Sequence, residues 1–240
     1  MVSESDNIIR GEVLACSEAS LAYTDGSRTT FALRNVTVEL LPGRFYGIMG
    51  PSGSGKSSLM YVLSGLKMPT DGTARFGSFI YNRRRQAEVA QVRRDRFGFV
   101  FQQPFLLPYL TALENILVSA PKPDEAYREK ALHLLDRMGL GGMEHKNPSQ
   151  LSGGEKQRVS VIRAMMNEPD VIFADEPTAA LDHANGRRVV DSLAQWRTSG
   201  TVVVVTHDPE MLTEADAVVY LRDGELVEVL PGPPQNHAFA

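Results

Sequence analysis

The fold is decided by one stretch, Phe45-Tyr46-Gly47-Ile48-Met49-Gly50-Pro51-Ser52-Gly53-Ser54-Gly55-Lys56-Ser57. Its second part, 50–57, matches the pattern G-x-x-x-x-G-K-[ST]. The apolar run 45–49 predicts a buried strand, and a helix is predicted from about Gly55 to Leu66. Glycines let the connecting backbone turn its N–H groups toward phosphate oxygens, and the helix N-terminus adds partial positive charge. The stretch therefore predicts a phosphate loop inside an α/β fold.

The loop also has a cation and hydroxyl groups where a bound nucleotide needs them. Lys56 is expected to reach the β- and γ-phosphates, and Ser57 is expected to offer its hydroxyl to Mg²⁺. The alternative, a Gly- and Ser-rich surface loop, is disfavoured because a strand precedes the pattern and a helix follows it. The residues expected to bind the nucleotide are Gly50, Pro51, Ser52, Gly53, Ser54, Gly55, Lys56, Ser57 and Ser58.

Charged and polar residues follow two further apolar runs. Asp175 and Glu176 come directly after Val171–Ala174, and His207 follows the run 202–205. Ligands of open α/β sheets bind at the carboxyl ends of the strands, so these side chains are expected near the phosphates. We expect Asp175 to hold Mg²⁺, Glu176 to polarise the attacking water and His207 to contact the γ-phosphate. The alternatives are ordinary surface acids in a turn and a structural histidine.

The remaining pattern predicts the organisation of the chain. Continuous apolar runs separated by helical spacing, as between 171 and 205, predict a parallel sheet with helices on both faces. Two strands joined by a turn before residue 50 predict an N-terminal antiparallel β portion. Residues from about 104 to 167 show helical spacing, which predicts an inserted helical subdomain. One domain is expected over 12–230, followed by a flexible tail over 231–240.

The composition excludes several classes of protein. The chain has 240 residues and a formal net charge of −4 at pH 7, so nucleic acid is not an expected partner. Its single cysteine, Cys16, fits a reducing compartment. Apolar runs are shorter than the roughly 18 to 20 residues that cross a bilayer, and Met1–Arg10 lacks the apolar segment of a signal peptide. The sequence predicts a soluble, cytosolic chain that meets a membrane only through a partner.

A second helix start with glycines lies at Leu151–Arg158. Ser152, with Glu155 three residues later, has the sequence of a capping box, and a well-capped helix is the simpler interpretation. Gly153 and Gly154, however, weaken a first turn by up to roughly 1 kcal/mol each, which favours close approach of this backbone to an anion. One triphosphate already fits the first loop. The second helix start is therefore expected to face the γ-phosphate held by another copy of the chain.

These residues together resemble the ATP-binding cassette (ABC) ATPases, over about residues 12–230. Leu151–Arg158 is similar to the family's signature motif, and Val171–Glu176 is similar to its Walker B motif. The resemblance assigns further roles: Gln102 senses Mg²⁺ and signals to a membrane subunit, Tyr23 stacks on adenine, Asp182 is the D-loop aspartate and His207 is the switch histidine. A strand tyrosine packed in the core is the alternative for Tyr23. The sequence departs from the family at Ala179, where a small hydroxyl residue or glycine is common.

The resemblance implies hydrolysis of ATP with Mg²⁺ in a head-to-tail homodimer. Each ATP would lie between the phosphate loop of one copy and Ser152, Gly153 and Gly154 of the other. The catalytic residues implied are Lys56, Gln102, Glu176 and His207. The metal-binding residues implied are Ser57, Gln102 and Asp175.

The segment Phe99–Leu110 (FVFQQPFLLPYL) indicates a contact with a partner. Pro104 and Pro108 prevent a regular helix and leave apolar side chains in a loop, where a groove beside Gln102 would suit a coupling helix of a transmembrane permease. In the family the membrane subunit docks here; ordinary core is the alternative. The arginines within 83–96 predict a solvated face, with lipid headgroups or acidic partner loops as alternatives.

Two functional classes remain open from the sequence. The energy subunit of a membrane transporter or mechanotransmitter is favoured over a soluble cassette of DNA repair, translation or iron–sulfur assembly, because the chain has one cassette and no long insertion. Residues 97–102 and 106–115 resemble the lipoprotein-release and macrolide-export branch typified by LolD, MacB and DevA. That branch implies an exporter of lipoprotein, glycolipid, peptide or drug at the cytoplasmic face of the inner membrane, often with a periplasmic adaptor. An amino-acid or methionine importer cassette is the alternative.

Overall fold

Two β-sheets and a set of helices form the protein in its computed structural model, which describes residues 11–26, 28–122 and 124–234. The strands are β1 Leu14–Asp25, β2 Arg28–Leu40, β3 Phe45–Met49, β4 Asp71–Phe76, β5 Phe79–Ile80, β6 Phe97–Val100, β7 Val171–Asp175, β8 Thr201–Val205, β9 Ala217–Arg222 and β10 Glu225–Pro231. The helices are α1 Lys56–Leu63, α2 Gln86–Arg96, α3 Ala112–Leu117, α4 Glu125–Arg137, α5 Gly153–Met165 and α6 His183–Gln195. Short 3-10 turns lie at Arg83–Arg85, Pro148–Gln150, Trp196–Thr198 and Pro209–Leu212.

The larger sheet has the strand order β10-β9-β3-β8-β7-β6. All neighbouring pairs from β9 to β6 are parallel, and β10 is antiparallel to β9. Alternate residues of β7 and β8 enter two separate hydrophobic clusters: Phe173 and Val203 lie in one, Ile172 and Val204 in the other. Both faces of the sheet are therefore covered, as the continuous apolar runs predict.

The parallel order places four chain segments at one edge of this sheet. The phosphate loop follows β3, His207 follows β8, Glu176 follows β7 and Gln102 follows β6. Because β3, β8, β7 and β6 are consecutive neighbours, their carboxyl ends lie side by side. The candidate site residues from distant parts of the sequence are thus brought to a single edge.

The smaller sheet is antiparallel, with the order β2-β1-β4-β5. Helices α3, α4 and α5 lie between β6 and β7 in the chain and share a hydrophobic cluster of their own, which includes Ile116, Leu135 and Val159. The expected P-loop core with an antiparallel β portion and an inserted group of helices is confirmed. The exact bounds of the domain and of the helical subdomain stay predictions.

Several element boundaries differ from the expected ones. Helix α1 begins at Lys56 because Gly55 has a left-handed conformation, and it ends at Leu63 rather than Leu66. Pro231, expected in a flexible tail, is the last residue of β10, and 235–240 lie outside the described residues. In the part of the chain that the structure describes, the helices fall short of the length and apolarity needed to cross a bilayer.

Candidate functional site

The phosphate loop closes around the amino group of Lys56. Its Nζ donates to the carbonyl oxygens of Gly50 and Pro51, both at 2.9 Å, and the side chain is buried. Gly55 has φ +98°, and a Cβ there would lie 2.4 Å from the carbonyl oxygen of Ala32 on β2. A glycine is needed at this position both by the backbone conformation and by the close approach of β2.

The start of α1 is open toward an anion. Within the described residues no side chain caps this helix, and its first turn contains no acid. The N–H groups of the first turn therefore have no partner in the helix. The Ser54 hydroxyl is buried without a hydrogen-bond partner among the described residues, whereas Pro51, Ser52 and Gly53 are exposed and Ser57 and Ser58 are half-buried. Unused donors around one loop fit a bound phosphate.

Two hydroxyl groups of α1 hold the carboxylate of Asp175 at the end of β7. Ser57 Oγ donates to Asp175 Oδ1, and the Tyr61 hydroxyl donates to Asp175 Oδ2, both at 2.8 Å. Burial, together with the hydrogen bond and charge of Asp175, raises the pKa of Tyr61 to about 12, so the phenol remains a donor at neutral pH. The carboxylate is itself buried. Ser57 and Asp175 supply the hard oxygen donors that Mg²⁺ prefers, in the small number usual where substrate phosphates complete its shell.

Glu176 and His207 form a pair at the ends of β7 and β8. His207 Nδ1 lies 3.1 and 3.0 Å from the two carboxylate oxygens of Glu176. The Glu176 amide donates to the Val205 carbonyl oxygen at 2.9 Å, and its φ is +46°. A non-glycine residue in this region costs on the order of 1–3 kcal/mol, and such residues are concentrated at functional sites. The Glu176 side chain lies beside His207, which follows β8, the strand next to β3 in the sheet.

Helix α5 holds the backbone around Gln102. Gln102 itself is exposed and lies two residues after the end of β6 at Val100. The buried Gln157 of α5 donates from Nε2 to the Phe101 carbonyl oxygen at 2.9 Å, and Arg163 donates to the carbonyls of Pro104 and Phe105 at 2.7 and 3.0 Å. Burial lowers the pKa of Arg163. These links join the helix that starts at Ser152 to the segment after β6.

The second helix start is capped by its own residues. Ser152 Oγ accepts from the Glu155 amide at 3.3 Å, and Glu155 Oε2 accepts from the Ser152 amide at 2.6 Å, which is the expected capping box. These hydrogen bonds lower the pKa of Glu155. A Cβ on Gly154 would meet the Asn185 side chain at 3.3 Å, so packing against α6 accounts for one of the two glycines. Gly153 is exposed, near the backbone of Ala180.

Tyr23 lies on the surface of a strand, and Asp182 lies at the start of a helix. Tyr23 lies inside β1, opposite Thr30 of β2, and is 47% exposed, so it is not a core residue. Asp182 caps α6: its Oδ1 accepts from the Asn185 amide at 3.0 Å. This cap explains why α6 begins at His183. The same hydrogen bonds lower the pKa of Asp182.

A groove of about 1030 Å³ lies along β6, between α2 and the segment that follows α3. Its apolar wall includes Phe99, Phe101 and Val118, and Arg93, Arg94 and Arg163 lie at its sides. We call this the β6 groove. Phe105, next to Arg163, is 63% exposed, so part of 99–110 is surface rather than core.

Four residues of this site are not evident from the sequence: Tyr61, Asn115, Gln157 and Arg163. Asn115 is fully buried and donates from Nδ2 to the carbonyls of Leu107, Leu110 and Thr111, which fixes the irregular backbone after Pro104. Tyr61 lies four residues after Ser57, and this spacing on one helix face is the signal that could have identified it.

Comparisons with known proteins identify the family of the chain. The ABC transporter family model matches residues 33–179, well over half of the chain, including the phosphate loop and Asp175–Glu176. The chain belongs to the ABC transporter family, whose cassettes are ATPases. The family expected from the sequence is confirmed.

The curated relatives to which the chain is similar in sequence have names that describe export proteins. It is 41% identical over 220 residues to the macrolide export ATP-binding/permease protein MacB of Chromobacterium violaceum, covering 90% of this chain and 34% of that protein. It is 46% identical over 201 residues to MacB of Rhodospirillum rubrum, covering 82% and 31%. The chain thus spans about a third of the length of these relatives. Their names agree with the export branch and do not favour an importer or a soluble cassette.

Solved cassettes have the same fold. The dimeric bacterial ABC transporter cassette MJ0796 is 36% identical, with a TM-score of 0.85 and coverage of 92% of this chain and 100% of that one. A dimeric post-hydrolysis state of MJ0796 bound to ADP and Pi is 35% identical, with a TM-score of 0.84 and the same coverage.

Proposed function

We propose that this chain hydrolyses ATP in a head-to-tail dimer of two copies and drives a membrane permease of the MacB or LolD type. The observation that supports it most is the juxtaposition at one sheet edge: an uncapped helix start, a buried carboxylate linked to Ser57, and the Glu176–His207 pair. An anion site, a cation site and a base beside each other are what phosphoryl transfer to water requires.

Binding of ATP would begin at the phosphate loop. The Lys56 amino group, now bonded to the carbonyls of Gly50 and Pro51, would turn to the β- and γ-phosphates. The N–H groups at the start of α1 and the Ser54 hydroxyl would donate to phosphate oxygens. Exposed Tyr23, on the strand pair that approaches Gly55, would stack on adenine.

The donor set at Ser57 and Asp175 fits Mg²⁺. Both side chains offer oxygen atoms, they are 2.8 Å apart, and the phosphates of ATP would complete the coordination. Gln102 would join them from the end of β6. When bound, the cation supplies neutralisation of charge on the phosphates.

Hydrolysis would depend on Glu176, on His207 and on the placement of the attacking water relative to the γ-phosphate. Glu176 would orient and polarise the attacking water, because its carboxylate is held at the sheet edge. His207 would hold Glu176 through Nδ1 and would contact the γ-phosphate through its other ring nitrogen. Most of the rate enhancement would come from placement and charge neutralisation.

The second copy would complete each site. Ser152, Gly153 and Gly154 would approach the γ-phosphate held by the partner's loop, and Asp182 would lie beside that contact, since Gly153 adjoins the 180–182 segment in this chain. The dimeric state of the MJ0796 cassettes supports this arrangement.

The β6 groove would receive the permease. Its apolar wall suits the apolar face of a helix, and Arg93, Arg94 and Arg163 favour acidic residues on that helix. The chain would then act at the cytoplasmic face of the inner membrane, in an exporter or mechanotransmission complex with or without a periplasmic adaptor. The substrate would be a drug, a lipoprotein, a glycolipid or a peptide; the names of the relatives support export of a macrolide, and the other classes are implied by the resemblance to the export branch.

The hydrolytic assignment is tested with Glu176→Gln. The amide keeps the size of the side chain but cannot act as a base, so turnover is expected to fall by about 100-fold or more. ATP binding should persist and trap a dimer, measured by size-exclusion chromatography with ATP. Glu125→Gln, an exposed carboxylate on α4, is the charge-matched control. Native turnover in Glu176→Gln would contradict the assignment.

The permease contact is tested with Val118→Glu, which places a charge in the β6 groove where the valine is 58% exposed. Val227→Glu on β10, where the valine is 57% exposed, is the matched control away from the groove. Coexpressed with a permease of the MacB type, the first variant is expected to lose copurification and the second to keep it. Equal copurification of both variants would contradict the groove as the docking site.

A further inference from the structure

Asp175 has two hydrogen-bond donors, and only one of them belongs to the phosphate-loop motif. Ser57 Oγ donates to Oδ1, and the Tyr61 hydroxyl donates to Oδ2, each at 2.8 Å. Both donors come from α1, four residues apart, so they lie on the same face of the helix. The carboxylate is 8% exposed, so its orientation is set by these contacts and not by bulk water.

The position of the Tyr61 hydroxyl is fixed by packing. Its ring is half-buried against the hydrophobic cluster that includes Leu59, Phe173 and Val205. A tyrosine side chain has only two rotatable bonds before its ring, so a packed ring holds its hydroxyl in place with little further loss of entropy. Tyr61 therefore works as a rigid donor aimed at one oxygen of Asp175.

We propose that Tyr61 is a positioning residue for divalent-cation binding. This inference rests on the proposed function, in which Asp175 lies at the cation site. A Ser57 hydroxyl that ligates the cation through an oxygen lone pair keeps its hydrogen and can still donate to Asp175 Oδ1, while Tyr61 donates to Oδ2, so the two donors together fix the carboxylate plane. Partners that orient a metal-binding group typically change metal affinity by about 10- to 100-fold. Tyr61 would thereby set the Mg²⁺ concentration at which the site fills.

The test is Tyr61→Phe, which removes the hydroxyl and keeps the ring. Binding of Mn²⁺ in the presence of ADP, followed by electron paramagnetic resonance, is expected to weaken by on the order of 10-fold. The half-saturating Mg²⁺ concentration for hydrolysis should rise by a similar factor. Binding of ADP in EDTA should stay native, which a merely structural defect would not allow. Tyr61→Leu, which also lacks the hydroxyl, gives a second measurement of the same loss.

Tyr81→Phe is the matched control. The Tyr81 hydroxyl also donates a hydrogen bond inside the protein, to the Leu63 carbonyl oxygen at 2.9 Å, but this hydroxyl does not bond to Asp175. Native Mn²⁺ affinity is expected for this variant. A fall equal to that of Tyr61→Phe would overturn the inference, because loss of any buried phenol would then suffice.

Asp175→Asn separates the inference from the proposed function. Weakened Mn²⁺ binding in Asp175→Asn with native binding in both Tyr61 variants overturns the role of Tyr61 and leaves the cation site in place. Native Mn²⁺ binding in Asp175→Asn overturns the cation site itself. Weakened binding in Asp175→Asn and in both Tyr61 variants supports the inference.

Discussion

Helix α1 follows a glycine-rich loop and helix α5 begins with two glycines, but their N-termini are satisfied in different ways. Gly55 precedes α1 and brings no side chain to its first turn, and the described residues provide no other cap. Ser152 and Glu155 cap α5 with a hydroxyl and a carboxylate of the same chain. The first helix start is open to an anion by itself, whereas the second is stable without one. This difference is expected if one copy binds the phosphates and the other closes over them.

Lys56→Ala gives the largest effect expected from this comparison. The variant removes the only side-chain cation of the open loop's motif and the two hydrogen bonds to Gly50 and Pro51. Nucleotide affinity or turnover is expected to fall by on the order of 100-fold or more. Isothermal titration with ATP and a phosphate-release assay measure both quantities, with exposed Lys67→Ala as control. Unchanged turnover would show that α1 is not the phosphate site.

Ser152→Arg should separate the two helix starts. A long cation at the cap of α5 is expected to block close approach of a second copy while leaving the open loop of the same chain intact. Nucleotide binding by the monomer should remain within about twofold of native, and the ATP-dependent dimer of the Glu176→Gln background should be lost. Analytical ultracentrifugation with ATP distinguishes the two states. A normal dimer would refute the contact across the copies.

The smallest effect concerns the cap alone. Thr111 and Glu114 form at α3 the same capping box that Ser152 and Glu155 form at α5. Ser152→Ala and Thr111→Ala are each expected to lower the free energy of unfolding by about 1 kcal/mol, measured in urea. Only Ser152→Ala should also weaken the dimer, because only that hydroxyl lies at the proposed contact. Equal dimer formation by the two variants would reduce Ser152 to a helix cap.

Much of the central sheet can be predicted from the sequence, because β7 and β8 are continuous apolar runs and polar residues follow them directly. Helix α2 cannot be recognised so easily: among its residues only Val89 is buried, so a segment rich in arginine shows no apolar periodicity. The sequence does not show whether Tyr23 lies in the core or on the surface, because a tyrosine in a strand fits both places. Its exposure in the fold shows that it lies on the surface.

The phosphate loop and the strand-end carboxylates are predictable because their chemistry depends on local spacing. The partners that orient them are not, because they come from other elements. Gln157 contacts Phe101 across 56 positions of the chain, and Tyr61 contacts Asp175 across 114. Such pairs depend on the docking of α5 and α1 against the sheet. A glutamine or tyrosine inside a helix gives no indication of such a partner by itself.

The hydrogen bonds from α5 to the segment after β6 have a consequence for the evolution of the groove. Gln157 and Arg163 are bonded to main-chain carbonyl oxygens of 101, 104 and 105, which every amino acid possesses. Side chains on that segment can therefore be exchanged without breaking the hydrogen bonds to the helix, and under the proposed function such an exchange would change which permease is recognised. Main-chain hydrogen bonds that stay the same, combined with side chains that can vary, would let one type of ATPase domain work with many permeases.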